Sequence, residues 1–344
     1  MIKSLTSLRG IFILFIFFHH CLHIYPGGGT MAVSFFFVLG GFSMTLGYRD
    51  RVMSSRFDYK QYILRRGIKF YPLHWLTLMA ALPFALLAFN KWTVPEFVVN
   101  AALLQTWIPI KSVYFSFNGV SWYLANTMFF AIVFPFVLRF IMRCSKVGRA
   151  AMITAIVITY TLLVVLLPQE WYHAILYISP YVRLTDFVLG IFLGLAYLTL
   201  KEQKPEMQIN NILWHFLVIA LIGLLVAESC FLPETARLIS PVYWLLVAAL
   251  ILITSIPNGG DNLLENKYLH RLGELSFVIF MTHQLVIRYT SVAFGLFNFK
   301  NDVIFVCTTL LLTIAVSALT DKYILKPVTQ WLTKRIQPSM TARS

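Results

Sequence analysis

The sequence predicts an all-α polytopic membrane protein of about ten transmembrane helices with both termini in the cytoplasm. Three observations carry that prediction. Hydrophobic residues make up 59% of the chain and charged ones only 12%, about half the charged share of a soluble domain. Apolar runs of roughly 20 residues, long enough to cross hydrocarbon as helices, recur along the chain. The basic residues, finally, gather at alternate ends of those runs, as the positive-inside rule requires.

The expected spans lie at about 5–24, 30–48, 71–89, 119–138, 150–168, 181–200, 212–230, 239–256, 273–293 and 303–324. Helices fit because each satisfies its own backbone polar groups where water is absent. The stretch PEFVVNAALLQTW (95–107) is too short and polar to span, and reads as an interfacial or re-entrant helix. The N-terminal run holds Arg9 and has no small-residue cleavage site after it, so it reads as a retained first helix rather than a signal peptide. Residues 1–335 read as a single integral-membrane domain and 336–344 as a short cytoplasmic tail.

With the N-terminus inside, all but six of the 28 lysines and arginines fall at cytoplasmic ends. Lys91, Lys111, Arg237 and Lys300 lie outside, and Arg183 and Arg288 within or near spans. The expected loop from Arg49 to Lys69 alone holds seven basic residues. The net charge of +14 is therefore mostly a topological signal directed at membrane lipids, and calls for no nucleic-acid partner. The cysteines (Cys21, Cys144, Cys230 and Cys307) stand singly, without the paired spacing of a disulfide framework or zinc site. No metal site is expected.

The first span carries the most chemistry. Its outer half is broken by His19, His20 and His23 and its inner half by Arg9. Eleven residues separate Arg9 from His20, about three helical turns, so both share one face roughly 16 Å apart along the axis. An arginine within a span costs about 2.5–3.5 kcal/mol on insertion scales unless it faces the bundle interior, a wet cavity or the interface. The pair therefore either snorkels to the two interfaces or lines a functional cavity. In a cavity, a neutral imidazole can take a proton from a hydroxyl.

Several stretches, taken in order, resemble the integral-membrane acyltransferase family 3, over essentially the whole chain. SLRG with His20 matches the family's arginine–histidine spacing. FFFVLGGF (35–42) is similar to its second motif, with Gly41 where serine is usual. YILRRGIKFYPLHW (62–75) resembles its basic segment, Lys69 replacing a frequent arginine. GVSWYLANTMFFAIVFP (119–135) resembles the tryptophan-led motif, with Thr127 where many members carry glutamate. SPYVRLTDFVLGIFLG (179–194) supplies Pro180, Arg183, Asp186, Phe187, Gly190 and Gly194 in the family's pattern. LGELSFVIFMTHQLVI (272–287) resembles the late motif ending in His283, and DKYILKP (321–327) the closing one. The closing motif lies near the end of the sequence, so the esterase-like domain that some members add is not expected.

The resemblance implies acyl transfer, usually of acetyl from acetyl-CoA, to a carbohydrate hydroxyl, in the bacterial cytoplasmic (inner) membrane. The donor is a substrate, and no permanently bound cofactor is expected. The partners implied are acyl-CoA, a free or lipid-linked carbohydrate acceptor and membrane lipids. Relatives also modify peptidoglycan or small molecules such as macrolides. On this reading His20 is the base and Arg9 orients the thioester or a pyrophosphate oxygen. Arg65, Arg66 and Lys69 hold the CoA phosphates, although the same cluster also reads as a lipid-headgroup patch. His283, Trp122, Tyr123, Asp186 and Arg183 line the acceptor end. Alternatively, Arg183 and Asp186 form only an ion pair, and Trp122 and Tyr123 only an interfacial belt. Direct transfer and a relay through an acyl-histidine both remain open. A transporter or flippase of a glycolipid or proton-coupled solute is the rival function, since intramembrane histidine and arginine are common to such proteins.

Overall fold

A computed structural model describes residues 2–22 and 28–336. His23 and residues 337–344 of the expected tail lie outside the described residues. No strand occurs among the described residues. The helices are α1 (Lys3–His20), α2 (Gly28–Met53), α3 (Tyr59–Leu87), α4 (Thr93–Ala101), α5 (Lys111–Tyr114), α6 (Ser121–Arg143) and α7 (Lys146–Leu166). They continue with α8 (Pro180–Gln203), α9 (Asn211–Phe231), α10 (Glu234–Arg237), α11 (Pro241–Ser255), α12 (Lys267–Leu296), α13 (Asp302–Thr320) and α14 (Lys326–Ile336).

A helix occupies each of the ten expected spans. Among the described residues, eight are long and apolar enough to cross a membrane. The two others are α1, whose 18 residues include Lys3, Arg9, His19 and His20, and α11. At 15 residues, α11 reaches about 22 Å against the ~30 Å of hydrocarbon. The stretch expected not to span folds as nine-residue α4, a single 3-10 turn at Gln105–Trp107, and α5. The closing motif makes a π-helical turn, Asp321–Leu325, that joins α13 to α14 without a break.

One boundary differs in a way that matters. The third span was expected from residue 71, but α3 begins at Tyr59, so the basic residues 65–69 ride on a helix rather than a loop. Asp58 starts it, its carboxylate accepting from the Gln61 amide at 2.9 Å. Tyr62 holds it, donating from its hydroxyl to the Ala131 carbonyl at 2.8 Å. Ala131 lies four residues before Pro135 in α6, and proline has no N–H to give that carbonyl. A tyrosine on one helix thus satisfies the acceptor that a proline orphans on another.

The helices sort into two compact units, one of residues 1–55 and 133–276 and one of 56–132 and 277–344. The first unit is organised by glycine crossings. A Cβ added at Gly41 of α2 would fall on the Phe187 carbonyl of α8, and one at Gly190 on the Val38 carbonyl. A Cβ at Gly10 of α1 would lie 2.8 Å from the Leu269 carbonyl, and one at Gly273 would meet the Thr6 carbonyl. Backbone therefore packs on backbone along both seams, the arrangement small residues permit inside membranes. Phe12 and Phe35 stack between α1 and α2 with centroids 3.7 Å apart. Trp214 of α9 donates to the Ile253 carbonyl of α11 at 3.0 Å.

Gly41 is thus no neutral departure from the motif it resembles. Gly41→Ser, which restores the usual residue, is expected to destabilise the purified protein by about 1–3 kcal/mol through overpacking. Thermal unfolding in detergent reads this, and an unchanged melting temperature would show that α8 gives way.

In the second unit α3, α12 and the first part of α6 pack together. Tyr289 of α12 donates to the Ala80 carbonyl of α3 at 2.8 Å. Phe70 meets Phe277 at 5.7 Å and Phe84 meets Tyr289 at 4.7 Å, so α12 runs parallel to α3.

Candidate active site

The first unit carries Arg9, His20, Arg183 and Asp186, and the second Arg65, Arg66, Lys69, Trp122, Tyr123 and His283.

His20 is the last residue of α1, half-buried, with Nδ1 2.9 Å from the Ile16 carbonyl. A carbonyl only accepts, so Nδ1 is the protonated nitrogen and the lone pair of the neutral ring sits on Nε2. The ring is braced edge-on by His19, with centroids 4.9 Å apart. The His19 ring itself presses on Gly29, where a Cβ would come within 2.5 Å of it. Beyond Cys21 the chain leaves through Leu22 at φ +55°, a left-handed conformation that a bulky residue rarely adopts. Arg9 is half-buried on the same helix, its neighbours Leu8 and Gly10 fully enclosed.

Arg183 and Asp186 are brought together one turn apart on α8, Nη1 to Oδ2 at 3.1 Å, with both side chains essentially inaccessible. Asp186 Oδ1 accepts from Trp244 Nε1 at 2.5 Å, and Arg183 Nη2 donates to Ser34 at 3.2 Å. The guanidinium lies 5.0 Å over Phe37 and 5.7 Å from Tyr177. Such a pair survives in an apolar bundle because each charge has several partners.

The basic residues of α3 divide. Arg65 and Lys69, four apart and so on one face, are exposed. Arg66 is buried, its guanidinium 5.2 Å over the Tyr62 ring. Only the first two present cation to solvent.

Trp122, Tyr123 and His283 share a run of rings. Trp122 meets Tyr123 at 6.4 Å, Tyr123 meets Phe280 at 4.7 Å, and Phe280 meets His283 at 5.9 Å. Trp122 is buried, which is not the position of a lipid-belt anchor. His283 is fully buried, with Nδ1 2.7 Å from the Phe280 carbonyl and 3.1 Å from that of Ile279. By the same logic as His20, its lone pair sits on Nε2. Thr127, at the usual glutamate position, donates to the Tyr123 carbonyl of its own helix at 2.8 Å.

A buried polar network in this unit escaped the sequence reading. His74 lies inside α3 and donates from Nε2 to the Asn100 carbonyl at 2.9 Å. Asn100 donates to the Ser116 carbonyl at 2.9 Å, Gln105 to Ser121 Oγ at 3.2 Å, and Asn118 to the Met281 carbonyl at 2.9 Å. Leu103 and Phe117 sit at φ +58° within the same stretch, strain that such a network holds in place. Arg288 donates to the Phe117 carbonyl at 3.2 Å and lies 4.2 Å over Phe84. The network ends on Ser121, the residue before Trp122, and so sets where α6 starts. The available signal was the polar content of a segment too short to span.

The comparisons agree with this assembly of motifs. The family of the Acyltransferase domain matches residues 2–322. The curated acyltransferase MdmB of Streptomyces mycarofaciens is 29% identical over 291 residues, covering 76% of this chain and 69% of its own length. No solved structure matches the chain. A polytopic helical chain that carries the motifs in order, and matches the family nearly end to end, is a membrane acyltransferase of the acyltransferase-3 family.

Proposed function

We propose that the protein is an O-acetyltransferase of the bacterial cytoplasmic membrane. It moves acetyl from cytoplasmic acetyl-CoA to a hydroxyl of a cell-envelope or exported carbohydrate, with both chain termini in the cytoplasm. The observation that best supports this is the bond from His20 Nδ1 to the Ile16 carbonyl, which leaves Nε2 as the basic nitrogen. His20 Nε2 takes the proton of the acceptor hydroxyl as that oxygen attacks the thioester carbonyl. The tetrahedral intermediate then collapses, the ester forms, and CoA departs as thiolate to be protonated by the imidazolium. Arg9 orients the thioester or a pyrophosphate oxygen. Arg65 and Lys69 meet the CoA phosphates from their exposed face, and Arg66 supports them from the buried side. Trp122, Tyr123 and His283 shape the acceptor end, while Arg183 and Asp186 brace α8.

The test is transfer of labelled acetyl from acetyl-CoA to a lipid-linked glycan extract by the purified chain. Label in the carbohydrate fraction supports the reading. CoA release without labelled carbohydrate removes the acceptor class, and turnover only with longer acyl-CoA removes the donor. Arg65→Glu with Lys69→Glu is expected to raise the KM for acetyl-CoA tenfold or more, since hydrogen bonds to charged groups contribute about 1.5–3 kcal/mol. With kcat little changed, that pattern marks lost ground-state binding. An unchanged KM would return the cluster to a lipid-headgroup role.

A further inference from the structure

In the second unit an apolar cavity of about 560 Å³ runs between α3 and α14, floored by Met128 of α6. On α3 it follows the stripe Leu64, Ile68, Tyr71 and Trp75, and on α14 Val328 and Leu332. The acyl-transfer chemistry proposed above makes no use of it.

Its two ends differ, and the packing shows how. Because α12 runs parallel to α3, α13, which follows after a short connection, returns antiparallel, with Ser317 Oγ 2.9 Å from Thr282 Oγ1 of α12. Only a π turn separates α13 from α14, so α14 keeps that direction and its Arg335 end lies toward the Tyr59 end of α3. There Lys60 stands one turn before Leu64 on the groove stripe, and Arg335 stands three residues past Leu332 and seven past Val328. Both are exposed. Arg335 lies 4.1 Å over the ring of Trp331, itself exposed, a pairing suited to a membrane interface. The groove is thus apolar along its length and cationic at one end.

We propose that this groove is a binding site for an anionic phospholipid, one acyl chain lying along α3 and α14 and the phosphate held between Lys60 and Arg335. A neutral lipid would leave that pair of cations facing no charge. The CoA cluster is separate, because Lys69 points away from the groove stripe and Arg65 flanks it.

The full chain would be taken from vesicles of equal phosphatidylglycerol and phosphatidylcholine, and retained lipid counted by native mass spectrometry. Wild type is expected to retain phosphatidylglycerol, one molecule per chain. Lys60→Glu with Arg335→Glu should lower the ratio of retained phosphatidylglycerol to phosphatidylcholine by tenfold or more. Both positions are exposed, so the melting temperature should hold. Val328→Trp, which fills the groove, should lower retention of both lipids. Unchanged retention in both variants would overturn the proposal. So would loss with Val328→Trp but indifference to charge reversal, since the groove would then take any chain. Displacement of the lipid by palmitoyl-CoA from wild type would reassign the groove to the acyl donor, and would also overturn it.

Discussion

His20→Ala is expected to lower acceptor-dependent CoA release by about 10²–10⁴-fold, the usual contribution of a positioned general base. KM for acetyl-CoA should stay within a few-fold, because the imidazole acts on the acceptor proton rather than on the nucleotide. His20→Gln retains side-chain hydrogen bonding but offers no basic nitrogen, so it should fall as far as alanine. His19→Gln offers the contrast. His19 packs on Gly29, and its loss should act on stability more than on turnover. The measurement is a thiol assay on wild type and the three variants, each confirmed folded by its melting curve. Full turnover in His20→Ala would remove the base assignment and leave the family membership untouched.

The second large effect concerns the buried pair on α8. Arg183→Met leaves Asp186 inaccessible to water with no cation beside it, only the Trp244 indole and the Ser240 side chain as hydrogen-bond partners, and should cost about 3–5 kcal/mol of stability. Asp186→Leu strands the guanidinium and should cost as much. The double replacement removes both charges together. It should melt closer to wild type than either single variant, because no uncompensated charge remains. If the pair only braces α8, the double variant should also keep its KM for acceptor. A raised acceptor KM in a well-folded double variant would give the pair direct contact with substrate. Additive losses would mean that Ser34, Phe37 and Trp244 hold each residue independently.

Much of this was legible in the chain. Runs of apolar residues place ten helices, because lipid offers the backbone no other partner than itself. The Arg9–His20 spacing follows from helical periodicity alone, and the structure keeps both on one unbroken helix. The start of α3 was not legible. A run of arginine and lysine reads as a loop until Tyr62 is seen to satisfy the carbonyl that Pro135 orphans, a pairing between residues 69 apart in sequence. Nor was the polar network of Asn100, Gln105 and Asn118 legible, since each alone reads as an ordinary interfacial polar residue. Their burial depends on where α3 and α12 pass.

The sequence by itself determined that this protein is helical, crosses the membrane many times and carries acyltransferase motifs in order. Composition and periodicity are local, and a membrane reads them directly. Tertiary structure alone decided which motif residues meet. It buried the Arg183–Asp186 pair between Ser34 and Trp244, turned Arg66 inward while leaving Arg65 and Lys69 outside, and made Gly41 a contact surface. Those outcomes depend on distant segments meeting, at Gly41 so closely that one methyl group is excluded, and no local pattern encodes that approach.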